Sequence, residues 1–305
     1  MDSSGSTLTF STRMMPFTAI LRHELRSLWS SWLVRLWLIA TGLLTFLILA
    51  TNWATFQSAP FIAALLFPYL VFPWFLVVMV LGISPVTGSR LEALADGILS
   101  RPVTRFEYLL AAWAARVVMV LFIFLVVIVP FMLLIAYADR PVTGEEVTLY
   151  GMFGALLLVG LVLTFLVSLG FLMGTLLRRP MVAAVILIFA WIPINLVLST
   201  FSLEEFSPWS LNQALPTLLR TPWSEEEETV EETVSKEDAD AVARQAAQVI
   251  SILSGKSAPP PASKPDFFNR TEYEDFSLTR VILGYTLPTL AAIGLAMLCF
   301  CWRDL

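Results

Sequence analysis

"LLAAWAARVVMVLFIFLVVIVPFMLLIAY", residues 109–137, decides the fold. One charge, Arg116, interrupts it. Folded as a helix, the stretch is longer than the ~20 residues that cross a hydrocarbon core of ~30 Å. The surrounding chain is of the same kind. Its 305 residues are 57% hydrophobic and only 14% charged, where soluble domains carry roughly a quarter of their residues as charges. The expected class is an all-α polytopic membrane protein.

Working outward, apolar runs place six spans at about Trp32–Ala50, Phe61–Ile83, Leu109–Tyr137, Leu149–Leu177, Met181–Thr200 and Arg280–Trp302. Only Arg178-Arg179-Pro180 parts the fourth from the fifth. Two helices meeting there is the economical reading, because proline opens a helix well and interrupts one badly. Pro68 and Pro73 should bend span two, and Pro130 span three. "GFLMG" at 170–174 fits a close helix approach.

Residues 1–13 form a polar tail without the apolar core of a signal peptide, so span one is expected to insert uncleaved. Residues 14–31 have the pattern of an amphipathic helix in the membrane interface. Phe17, Ile20, Leu21, Leu25, Leu28 and Trp32 fall on one face, with Arg22, His23 and Arg26 on the other. Glu24 lies inside the apolar stripe. It is lifted to the headgroups, paired with a nearby cation, or an interfacial carboxylate with no special role. Arg35, near the start of span one, can snorkel. Arg116 lies about two turns into span three, where a charge costs ~2.5–3.5 kcal/mol and should pair or face the bundle. A carboxylate such as Glu24 is the expected partner. Asn195, beside Pro193, either lines a path or bonds a neighbouring helix.

Lys and Arg set the orientation. With the N-terminus inside, short inner segments hold Arg13, Arg22, Arg26, Arg90, Arg101, Arg105, Arg178, Arg179 and Arg303. The two short outer loops hold only Arg140. Both termini are thus expected in the cytoplasm, with the chain multi-pass in a plasma (inner) membrane. The segment 201–279 falls outside. Over 201–278 it carries fifteen acidic and six basic residues, net −9, against −5 for the whole chain. Ser207-Pro208 there fits a helix start, and "SKEDADAVARQAAQVISILSG" reads as an amphipathic helix. This segment is either a surface insertion or a docking element for an extracytoplasmic partner. Residues 280–305 complete the chain as span six and a cytoplasmic C-terminus.

Between spans two and three lies "SRLEALADGILSRPVTRFEYLLAAW", residues 89–113. Ser89-x-x-Glu92 is a capping box, and Leu91, Leu94, Ala95, Ile98 and Leu99 follow at helical spacing. Ser100-Arg101-Pro102 stops that helix. Thr104-x-x-Glu107 is a second capping box and opens span three. A surface helix with an apolar face needs a cover, either the membrane interface or a groove on a soluble partner. In a groove, Arg90, Asp96, Arg101, Arg105 and Glu107 would set register.

These residues resemble the permease subunits of ATP-binding-cassette (ABC) transporters, type-2 exporter class. "RHELRSLW" at 22–29 resembles that family's "KELR"-like interfacial helix, and "LSRPVTR" its run after span two. The basic turn 177–180 and the terminal "FCWRDL" complete the set, in the family's order and spacing across nearly the whole chain. Trp302, where the family often has Arg, and the acidic insertion at about 224–266 depart from it. The resemblance implies a six-span subunit of the G-type exporter fold, with an N-terminal interfacial helix. It implies dimerisation with a second permease copy, homo- or heterodimeric. It makes 89–107 the coupling helix, docking on a separate ABC ATPase through Arg90, Leu91, Glu92, Leu94, Asp96, Ile98, Arg101, Arg105 and Glu107. The turn 177–181 would approach the same subunit more weakly.

The chain itself has no ATP loop. "GKS" at 255–257 has Ile250 where the first loop glycine belongs, and prolines follow where a helix should begin. ATP and magnesium are therefore expected in the partner, and no cofactor, metal or nucleic acid on this chain. His23 is the single histidine, and no span holds two aspartates, so intramembrane hydrolysis lacks its residues. Cys299 and Cys301 are too few for a disulfide framework. The expected role is non-enzymatic: a permease, with membrane lipid around it. The alternative is a non-transporting anchor or mechanical transmission subunit for an extracytoplasmic partner.

Overall fold

A computed structural model describes residues 10–83, 105–138, 147–177, 179–200, 207–220 and 278–302. Among the described residues the regular structure is helical, without a strand. The helices are α1 (Phe10–Ser30), α2 (Trp32–Asn52), α3 (Ser58–Leu70), α4 (Trp74–Ile83), α5 (Arg105–Tyr137), α6 (Leu149–Leu176), α7 (Pro180–Thr200), α8 (Pro208–Arg220) and α9 (Leu278–Trp302). The first capping box, the body of the acidic segment and the helix expected around 235–255 lie outside the described residues.

Among the described residues, five units are long and apolar enough to cross a membrane: α2, α3 with α4 (Ser58–Ile83), Phe106–Tyr137 of α5, α6, and Leu278–Phe300 of α9. The chain is thus a polytopic helical membrane protein. The fifth expected span coincides with α7, whose stretch Pro180–Trp191 is apolar but shorter.

Local chemistry sets several boundaries. Thr148 caps α6: its Oγ1 accepts from the Gly151 N–H at 3.0 Å. Leu177 turns extended, and Pro180 opens α7 as the "RRP" break requires. Pro208 opens α8, with the Leu211 N–H donating to the Ser207 carbonyl at 3.0 Å.

Span two is divided between two helices. Pro68 is carried inside α3, whereas the chain breaks before Pro73 and restarts at Trp74. The Val71 N–H closes α3 on the Phe67 carbonyl at 3.0 Å. Proline at 73 offers no N–H to extend that ladder and turns its predecessor away from helix. Pro130, by contrast, sits within an unbroken α5.

The core is organised around α6, which touches α3, α4, α5, α7, α8 and α9. Against α4 the approach is backbone to backbone. A Cβ on Gly82 would lie 2.6 Å from the Val167 carbonyl oxygen. One on Gly170 would strike the Met79 carbonyl, and one on Gly174 would lie 2.7 Å from the Ile83 carbonyl oxygen. The 170–174 glycine pair is therefore the seat of α4. Small residues matter here because lipid tails are as apolar as leucine, so helices associate through close packing. At its other end α6 is held by α8: the Thr148 N–H donates to the Leu219 carbonyl at 3.1 Å. Leu211, Leu215, Leu218 and Leu219 form the buried stripe of α8.

A side chain at 170 has only backbone to displace. Gly170→Leu should therefore lower thermal stability in detergent by more than the ~1–3 kcal/mol of ordinary overpacking. Gly42→Leu, at a position where a Cβ meets nothing within 4 Å, should leave the melting temperature unchanged. Equal melting curves for the two variants would contradict the close approach.

Candidate functional site

The foot of α5 gathers polar groups in an otherwise apolar bundle. Helix α1 lays its stripe against α5, with Phe17, Ile20, Leu21, Leu25 and Leu28 half-buried and Arg22, His23 and Arg26 exposed. Trp29 meets Phe122 edge-on, ring centroids 6.1 Å apart. Glu24, five residues earlier on α1, meets Arg116, six earlier on α5. Both contacts advance in the same direction, so α1 runs alongside α5 over this stretch.

Arg116 is 3% exposed, and Glu24 16%. Arg116 Nη2 lies 3.5 Å from Glu24 Oε2. Nη1 donates back to the Ala112 carbonyl, one turn earlier on the same helix. Nε is buried and has no hydrogen-bond partner among the described residues. A guanidinium in this setting is held by its one carboxylate, since a buried charge that loses its partner has no water to turn to.

One turn nearer the foot, Trp113 Nε1 donates to Ser168 Oγ on α6 at 2.9 Å. Ser168 Oγ donates in turn to the Thr164 carbonyl at 2.8 Å. Tyr108, Trp113, Leu172, Met297 and Phe300 surround a small cluster of Leu109, Phe171 and Ala296. The start of α5 is thus clamped on one side by α1 and on the other by the ends of α6 and α9. Magnitudes rank the two polar contacts. An interhelical hydrogen bond in a membrane contributes about 0.6 kcal/mol. Stripping one partner from a buried ion pair costs about 3–5 kcal/mol. The α1–α5 clamp is therefore the more sensitive.

The remaining sequence-derived candidates divide by position. Arg90, Leu91, Glu92, Leu94, Asp96, Ile98 and Arg101 lie outside the described residues. Arg105 is the first residue of α5, and Glu107, in its first turn, is half-buried. Asn195 lies on α7. Among the described residues no group of three or more His, Cys, Asp or Glu could hold a metal ion. The arrangement ties the start of α5 to α1, α6 and α9.

Sequence reading missed the Trp113–Ser168 bond. Thr164 and Ser168, four apart in an apolar run, were the available signal. It also missed a polar cluster in the core, where Thr41 Oγ1 donates to the Trp37 carbonyl at 2.8 Å. There the Tyr69 hydroxyl is buried, and so is Trp37 Nε1, which has no hydrogen-bond partner among the described residues. No family model matches the chain, and no curated protein matches it.

The unequal burial of the pair gives an ordered expectation. Glu24→Gln strands a deeply buried guanidinium and should cost about 3–5 kcal/mol of stability. Arg116→Leu should cost less, because Glu24 retains access to water. The double variant E24Q/R116L should recover most of the Glu24→Gln loss. Losses that simply add in a double-mutant cycle would mean the two side chains act independently.

Proposed function

We propose that the chain is the membrane-spanning permease subunit of an ABC exporter. It works as a dimer with a separate ATPase that holds ATP and magnesium. In this reading α7 is the fifth of six spans, both termini face the cytoplasm of a plasma (inner) membrane, and the bundle is of the G-type class. The protein is not itself an enzyme.

The observation that carries the reading is the continuity of α5. It runs unbroken from Arg105, in the "LSRPVTR" stretch, through the membrane-crossing Phe106–Tyr137. A helix of that length moves as a rod, so displacement at its foot reaches the middle of the bundle. The foot is gripped by α1, α6 and α9, and those contacts would carry the displacement to the rest of the fold. The basic turn before α7 gives a second, smaller point of approach on the same side. Residues 89–104 supply the sequence pattern of a docking helix directly before the rod.

The decisive measurement is capture of candidate ABC ATPases by the purified chain. Arg101→Glu with Arg105→Glu should weaken the complex by about tenfold or more, since like charges brought together at an interface cost several kcal/mol. Deleting 224–266 should leave it intact. Undiminished ATPase capture after charge reversal would sink the docking assignment. Selective capture of an extracytoplasmic protein by 201–279, without any ATPase, would favour the anchor instead.

A further inference from the structure

We propose that the outward face of the α1–α2 corner is a binding site for an anionic phospholipid headgroup, formed by Arg22, Arg26 and Arg35. The inference stands apart from the permease reading, because it concerns only what covers this corner.

Arg22, Arg26 and Trp29 fall at i, i+4 and i+7 on α1, so they share one helical face. Arg22 and Arg26 point away from the stripe packed on α5, and Trp29 lies at the boundary, its ring edge-on to Phe122 of α5. The one acid of the corner, Glu24, is turned inward onto Arg116. The outward face therefore keeps its positive charge uncompensated by α1 itself. Arg22 and Arg26 are exposed. At the break between the helices, Arg35 Nε donates to the Trp29 carbonyl at 3.1 Å. This bond brings the exposed Arg35 head back to the end of α1 that carries Arg26 and Trp29.

Two features favour lipid over a soluble protein. Trp29 and Trp32 flank the cations at 46% and 77% exposure, and tryptophan concentrates where headgroups meet acyl chains. Directly beyond Arg35, α2 presents Leu36, Ile39, Leu43, Phe46 and Leu47 outward. That surface suits acyl chains, and it places their headgroups within about a turn of Arg35. Each basic group near a membrane surface attracts anionic lipid by about fivefold.

The test uses the full chain in neutral detergent, titrated with palmitoyl-oleoyl phosphatidylglycerol or phosphatidylcholine at low salt. Bound lipid is counted by native mass spectrometry. The wild type should prefer phosphatidylglycerol by about tenfold or more, and added salt should erode the preference. R22A/R26A/R35A should abolish it, whereas R22K/R26K/R35K should keep most of it. Arg280→Ala, an exposed cation in the first turn of α9, should change nothing. The Lys variant separates lost charge from lost folding, and size-exclusion profiles check all four proteins. Equal retention of both lipids by the wild type would overturn the proposal. So would a triple Ala variant that keeps the preference, including one that instead loses capture of a soluble ATPase.

Discussion

The close approach of α4 to α6 is the contact on which the rest of the fold depends. In a hydrocarbon core, burying one more leucine gains little, because lipid already surrounds it with apolar contact. What distinguishes one helix pairing from another is how near the backbones come. Gly82, Gly170 and Gly174 let two backbones touch, which fixes α6 against the second span. Every neighbour of α6 then takes its position from that seat. α8 is tied to its first turn through Thr148, and α5 through Trp113 and Ser168.

The same solvent dictates how polar side chains behave. Without water, each hydroxyl must find a partner inside the protein. Thr41, Thr164, Ser168, Thr286 and Thr289 solve this locally, each donating to the carbonyl four residues earlier. Ser168 also accepts from another helix. Arg116 cannot be satisfied this way: it returns one nitrogen to Ala112 and needs Glu24 for its charge. A charge in the membrane is thereby converted into a link between two helices far apart in sequence.

Much of this was legible before the structure. Span positions follow from the length of apolar runs, and the break at Arg178-Arg179-Pro180 follows from proline's fixed geometry. The stripe of α1 follows from helical spacing. A glutamate inside that stripe, with an arginine deep in span three, pointed to each other because neither is tolerable alone. Other features were not legible for a physical reason. Pro68 and Pro73 carry the same local signal, yet one is carried within α3 and the other lies at the break before α4. The central place of α6 is a property of six neighbours at once, and no window on one helix reports it. Asn195 illustrates the same limit, since one polar residue in a span says that a partner is needed and not which helix provides it.

The two faces of α1 show how a short amphipathic helix divides its charges by solvent. Glu24 is useful only where it is partly shielded, because Arg116 holds it more firmly as water withdraws. Arg22 and Arg26 stay outside, where desolvation would cost more than any single contact returns. Had Glu24 lain one residue earlier, it would have turned 100° around the helix and joined the exposed face at position 23. Arg116 would then have been stranded, and the outward face would have lost part of its positive field. The position of that one carboxylate therefore settles both how α1 is fastened to α5 and what charge it shows to its surroundings.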